Sequence, residues 1–267
     1  MKVILTIAGS DTSAGAGIQQ DLKTITSLGH YAVTVPTALT AQNTVGVMRV
    51  MPVPSDMLKA QIDAVLTDIK VDAIKIGMIP NKESAEVIVS ALKEFALPIV
   101  CDPVMISTSG TQLMSDDCIE YVQTHLFPLC TLATPNLPEA LRLLQGEKTS
   151  EAKCLIDNSL DTDDLGRGLV RLLGTSALIK GGHRDSEMMY DTLYQVDGSV
   201  HTYSSPRIAT RNLHGTGCTM SSAIATYLAQ GSSLPDAVAG AKGVIDRGIV
   251  AGRDLDIGHG NGPLWLF

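Results

Sequence analysis

The chain has 267 residues, 45% of them hydrophobic but only 4% aromatic, which fits one α/β domain with an aliphatic core. A formal net charge of −8 argues against broad contact with nucleic acid or anionic membrane, because neutralising phosphates takes clustered Lys and Arg; a locally positive site for an anionic substrate stays open. No apolar run approaches the roughly 18 residues that cross a bilayer, no leader pattern precedes the first strand, and the mean hydropathy is mildly positive, so a soluble cytoplasmic protein is expected.

In chain order, residues 2–8 (KVILTIA) read as a strand ending at Gly9, and 31–37 (YAVTVPT) as a second buried strand. Ile18, Leu22, Ile25 and Leu28 fall at helical spacing between them and predict a helix over 16–28. Ser55 and Asp56 cap the next helix, with Leu58, Ile62, Val65 and Ile69 as its apolar stripe. Further strands are expected at 71–76, 98–101, 130–134 and 177–180, with helices at 82–95, 115–125, 137–145 and 162–173 between them. The polar stretch 146–162 reads as a loop. Residues 189–203 read as a hairpin turning at Asp197-Gly198, and helices over 217–230 and 235–251 follow. This alternation predicts a mostly parallel central sheet with helices on both faces, in a single domain spanning 1–267.

Open parallel sheets bind ligands beyond the carboxyl ends of their strands, and the unusual residues cluster there. The strand ends lead into Gly9-Ser10-Asp11, Thr40-Ala41-Gln42, Gly77-Met78, Asp102-Pro103-Val104, Pro135-Asn136-Leu137-Pro138-Glu139 and Lys180-Gly181-Gly182-His183. The segment His214-Gly215-Thr216-Gly217-Cys218 precedes a helix, where converging N–H groups and the helix dipole suit a transferring phosphoryl group. The same residues also suit an ordinary glycine turn. Cys218 at a helix start is a candidate for a lowered pKa and a role as general base, with a small packed side chain as the plainer reading. Asp102 and Glu139 are candidates for holding Mg²⁺, although an acid also suits the first turn of a helix. Lys180 is a candidate nucleotide-phosphate contact, and Gln42 pairs a donor with an acceptor, as a ring nitrogen beside an amino group requires. His183 and His214 have no evident partner in the sequence. Neither a Walker A loop nor GxGxxG occurs, and the six histidines include no HExxH. The five cysteines (Cys101, Cys118, Cys130, Cys154, Cys218) form no CxxC pair and read as reduced thiols.

The segments AGSDTSAGAGIQQDLKT, TALTAQNTVGV, KIGMI, CDPVM, TPNLPEA, IKGGH, TRNLHGTGCTMSSAIA and GHGNGPL resemble, in this order over nearly the whole chain, the hydroxymethylpyrimidine/phosphomethylpyrimidine kinases of thiamin biosynthesis, within the ribokinase-like superfamily. The resemblance implies a three-layer α/β fold, ATP with Mg²⁺, two successive phosphorylations at one site, and a homodimer. It implies a pyrimidine gripped by Gly9, Asp21, Gln42 and Met78 and lined by Val104, with Lys180 on ATP, Glu139 at the metal, and Gly215 and Gly217 lining an anion hole. Ribokinase-like sugar kinases mostly carry Asp where this chain has Cys218. Two departures stand out: Ala14-Gly15 replaces the usual glycine pair before AGIQ, and 146–162 is longer than expected. Pyridoxal or pyridoxine kinase is the alternative within the superfamily, against which Gln42, Met78 and the cysteine-bearing loop weigh. A non-catalytic binding protein on the same fold would not require Lys180, Glu139 and the anion loop.

Overall fold

The computed structural model describes residues 1–107, 110–145, 162–181 and 187–267. One nine-stranded sheet runs through it in the order β3-β2-β1-β4-β5-β6-β7-β8-β9. Its parallel part comprises β1 (Val3–Ser10), β2 (Tyr31–Gln42), β4 (Ala73–Ile76), β5 (Ile99–Cys101), β6 (Leu132–Ala133) and β7 (Ser176–Lys180). Antiparallel strands extend both edges: β3 (Val47–Pro52) beside β2, and β8 (Met188–Tyr194) with β9 (Val200–Pro206) beside β7.

Alternation along the strands sorts side chains onto two faces. Leu5, Ile7, Ile74, Ile76, Ile99, Cys101, Ala177 and Ile179 pack on one face. They meet apolar residues of α2 (Ser55–Asp68), α3 (Lys82–Leu92), α4 (Asp116–Tyr121), α5 (Leu137–Gln145) and α6 (Thr162–Leu173). Ile4, Ala73, Val100 and Leu178 point the other way, against α1 (Gly17–Ser27), α7 (Thr216–Ala229) and α8 (Leu234–Gly252). The result is three layers, with fully buried aliphatic chains contributing about 1.5–3 kcal/mol each. The same parity puts Thr6, Lys75 and Lys180 on the α7 side of the sheet, which decides where the charges of the site lie.

Two expectations need correction. The second strand runs on to Gln42 and folds back into β3, whose residues are mostly exposed and carry no alternating pattern. The helix expected over 115–125 is broken into α4, a π turn at Val122–Leu126 and a 3₁₀ turn at Phe127–Leu129, where Pro128 lacks the N–H that a continuing helix requires. The hairpin turns at Asp197-Gly198 as expected, with Gly198 at φ 89°. The expected loop over 146–162 lies outside the described residues apart from Thr162, where α6 begins. Ala14 is the one non-glycine residue among those described with positive φ, at 58°, which places the Ala14-Gly15 departure in a left-handed turn. The lone tryptophan, Trp265, is 43% exposed, donates its backbone N–H to the Gly248 carbonyl of α8, and meets Phe267 edge-on at 5.8 Å. Among the described residues no helix is long and apolar enough to cross a membrane.

Candidate active site

The chain reverses direction across the sheet at β1, whose neighbours are β2 and β4, and a cavity of about 620 Å³ opens beyond the strand ends there. Gly9, Gln42, Met78 and Val104 line one end, which brings together four of the residues expected to grip a ring. Asp21, the fifth, does not line it. The phase of α1 turns Asp21 inward with Gln20, Thr24 and Ile25, and it is fully buried. Its carboxylate accepts from Lys75 Nζ at 2.8 Å on both oxygens, from Ser222 Oγ at 2.6 Å and from Thr6 Oγ1 at 2.5 Å. Asp21 is thus the counter-ion of Lys75, a buried cation on the cavity wall that the sequence reading passed over. Lys75 keeps its proton: burial opposes the charge, but Asp21 outweighs it and raises the pKa.

At the centre, Lys180 Nζ lies 2.7 Å from Asp102 Oδ1, which also accepts from Thr134 Oγ1 at 3.1 Å. Burial works against the Lys180 charge, yet Asp102 and Glu139 hold its pKa above the ordinary value. Glu139 and Asn136 cap α5 reciprocally: Glu139 Oε2 accepts from the Asn136 N–H at 2.8 Å, and Asn136 Oδ1 from the Glu139 N–H at 2.9 Å. Glu139 thus caps a helix, as the plainer reading has it, and also lines the cavity. Burial first, and the nearby Asp102, push its carboxyl up to about 7 against the pull of Lys180. Two neighbouring carboxylates suit a hard cation that keeps several waters and takes phosphate oxygens. They do not form a protein-only cage; no group of three or more His, Cys, Asp or Glu able to hold a metal occurs among the described residues.

Gly215, Gly217 and Cys218 line the cavity where α7 begins. Gly215 sits at φ 89°, and a Cβ there would stand 1.9 Å from the Gly15 carbonyl oxygen, so the loop needs glycine on both counts. The expectation of a lowered Cys218 pKa is overturned. Burial dominates and, with Asp21 and Asp102, pushes the thiol up to about 11, against the lowering effects of Lys75 and a bond to the Gly17 backbone. His214 has partners after all, Asp11 at 2.8 Å and Gln42 at 3.3 Å; His183 lies outside the described residues. Sequence reading also missed Asp191 and Lys242 at the far end, which pair at 2.6 Å while Asp191 Oδ1 accepts from the Gly181 N–H at 3.0 Å. Lys242 carried a readable signal, a lone cation in the apolar run AVAGAKGVI. Pro206, Ile208, Ile245 and Ile249 complete an apolar wall there.

A ring-sized end and an apolar far end that meet over a fixed cation and a glycine-rich helix start define a small-molecule phosphotransferase, and on this sheet a ribokinase-like kinase. The family profile for phosphomethylpyrimidine kinase matches residues 11–265, and the chain belongs to that family, the hydroxymethylpyrimidine/phosphomethylpyrimidine kinases of thiamin biosynthesis. It is 40% identical over 269 residues to the Rhizobium meliloti hydroxymethylpyrimidine/phosphomethylpyrimidine kinase, covering 99% of this chain and 97% of that protein. Identity to the thiamine biosynthesis bifunctional protein ThiED of Geobacter sulfurreducens is 44% over 96% of this chain, which spans about half (51%) of that protein's length. Among solved structures, phosphomethylpyrimidine kinase from Clostridium difficile superposes with a TM-score of 0.77 at 39% identity, over 93% of this chain and 100% of that one. Pyridoxal kinase from Bacillus subtilis, solved as an ADP complex, gives 0.83 at 31% identity, over 100% and 97%. Shape alone does not separate the two; identity is higher to the phosphomethylpyrimidine kinase, 39% against 31%.

Proposed function

We propose that the cavity seats 4-amino-5-hydroxymethyl-2-methylpyrimidine against Gly9, Gln42, Met78 and Val104, and ATP along Lys180 with its base on the Ile245–Ile249 wall. The hydroxymethyl oxygen attacks the γ-phosphorus, the bond from that phosphorus to the β,γ-bridging oxygen breaks, and ADP leaves. The monophosphate then returns as the second acceptor, its phosphate oxygen attacking in the same line. The observation that carries this reading is the position of Lys180, Gly215 and Gly217 on the cavity between its two ends. Catalysis is then positioning with electrostatic stabilisation: the Lys180 ammonium faces phosphate oxygens, and the amides at the start of α7 face the developing charge.

Asp102 and Glu139 would hold Mg²⁺, which would supply positive charge against the phosphates. Asp102 has an oxygen free of the Lys180 and Thr134 bonds, and Glu139, whose carboxylate also accepts from the Met105 N–H, has one outside the Asn136 cap. Cys218 stands where it can take the alcohol proton. Burial leaves its thiol protonated in the resting state, so the base role requires ionisation in the ternary complex. A loose transition state asks little of a base, and Cys218 then contributes less than Lys180. The protein works in the cytoplasm as a homodimer through the β2–β3 edge of the sheet, where Leu39, Met48 and Met51 are exposed.

The test is ADP release by purified protein with Mg·ATP and, separately, hydroxymethylpyrimidine, its monophosphate and pyridoxal. Turnover of both pyrimidines is expected. Turnover of pyridoxal alone would move the function to vitamin B6 salvage.

A further inference from the structure

His214 connects the anion loop to the ring end of the cavity. The Asp11 carboxylate receives Ser13 N and Oγ on Oδ1 (2.8 and 2.7 Å), and Gly15 N, Ala16 N and His214 Nε2 on Oδ2 (3.2, 2.9 and 2.8 Å). Although burial disfavours its charge, the bonds from His214 and Ser13 hold its carboxyl down to about 2. An ionised carboxylate only accepts, so the hydrogen of this contact sits on His214 Nε2. The imidazole also fills the space beside Gly15, where a Cβ would meet its Cδ2 at 2.3 Å.

The same Nε2 lies 3.3 Å from the Gln42 carboxamide. With the Gln42 NH₂ toward His214, two donors face each other. On the other side, Thr40 Oγ1 has one hydrogen, which the Ser10 carbonyl takes at 2.8 Å, leaving only a lone pair for the Gln42 group 3.3 Å away. Turning the amide over removes both conflicts: Oε1 takes the weaker, 3.3 Å branch of the Nε2 hydrogen that Asp11 holds at 2.8 Å, and the NH₂ donates to Thr40. Oxygen and nitrogen of a carboxamide are told apart by this kind of accounting.

We propose that His214, held by Asp11, is a positioning residue that fixes the Gln42 carboxamide with its oxygen toward the imidazole, and so sets the donor and acceptor that the substrate ring meets. This rests on the reading that Gln42 grips the ring. It also gives the loop that receives the phosphoryl group a direct link to ring recognition.

Initial-rate kinetics with hydroxymethylpyrimidine test it. His214→Phe, a ring without the donor, raises KM about tenfold, as loss of one hydrogen bond would, with kcat within about threefold. His214→Gln, whose amide nitrogen reaches the place of Nε2, restores KM. In a Gln42→Ala background, His214→Phe has no further effect on KM. Effects that multiply in the double variant, a His214→Gln as impaired as His214→Phe, or a fall in kcat at unchanged KM overturns the proposal while leaving Gln42 as the ring contact. An unchanged KM in Gln42→Ala alone overturns the underlying reading, and the proposal with it. If His214→Phe does not fold, Thr40→Val carries the test from the other side of the amide: its rise in KM must likewise vanish in the Gln42→Ala background.

Discussion

Cys218 carries two opposed influences, the start of a helix and deep burial, and burial dominates. A thiol raised to about 11 is protonated at pH 7, so alkylation of Cys218 by iodoacetamide should climb about tenfold per pH unit beyond pH 9, where an ordinary thiol has levelled off. The sign for stability follows from linkage. Because folding favours the neutral form, that stabilisation is complete below the ordinary thiol pKa and is lost as pH rises toward about 11. Cys218→Ser should therefore lose about 2–3 kcal/mol less than the parent between pH 8.5 and 11, measured by urea titration at each pH. Full turnover in that variant would end the general-base role. Lys180→Ala should cut kcat about 10²–10³-fold and leave the KM for the pyrimidine within about twofold in steady-state assays; equal loss in both would displace Lys180 from the phosphates. At this scale the sequence marked residues at strand ends, as Lys180 and Gln42 are, or in the first turn of the helix that follows, as Glu139 is. It was misleading for Asp21, because only the phase of α1 against the sheet shows that its carboxylate points inward to Lys75. Asp11 and His214 were illegible as a pair, since 203 residues separate them and nothing local marks the contact.

The elements under the site are joined by charge as well as by apolar packing. Asp21 links α1 to β1 through Thr6, to β4 through Lys75 and to α7 through Ser222, with no part of either charged side chain exposed. Lys75→Met would leave the Asp21 carboxylate buried without its cation, and should cost about 3–5 kcal/mol in urea denaturation. Replacing both partners with apolar residues should cost less than Lys75→Met alone; a double variant worse than either single would show that the pair does more than balance charge. Most elements were legible because parallel strands are continuous apolar runs and the helices keep a clear 3.6-residue stripe. β3 was not, because an edge ribbon with both faces exposed has neither signature.

For the whole molecule, the parallel core and the three-layer packing follow from strand–helix alternation, the order of strands does not, and the cavity lies at the switch point of the order observed. The antiparallel additions at the two edges do not follow from that alternation. One of them bears on assembly: β3 leaves Met48 66% and Met51 54% exposed beside unpaired backbone groups. Light scattering of the purified protein should give twice the chain mass, and Met51→Glu should shift it toward one chain, since a buried charge without a partner disfavours the interface. A monomeric parent would remove the dimer from the proposal.

The position of Trp265 bears on how binding can be observed. It stands on the outer surface against Phe267 and α8, and it is not among the residues lining the cavity. Its emission will therefore follow the docking of residues 264–267 on α8, and will register the ring and the nucleotide only through a movement of that helix. A small change of intrinsic fluorescence in a titration would not mean weak binding, which heat of binding or absorbance of the ligand itself reads directly.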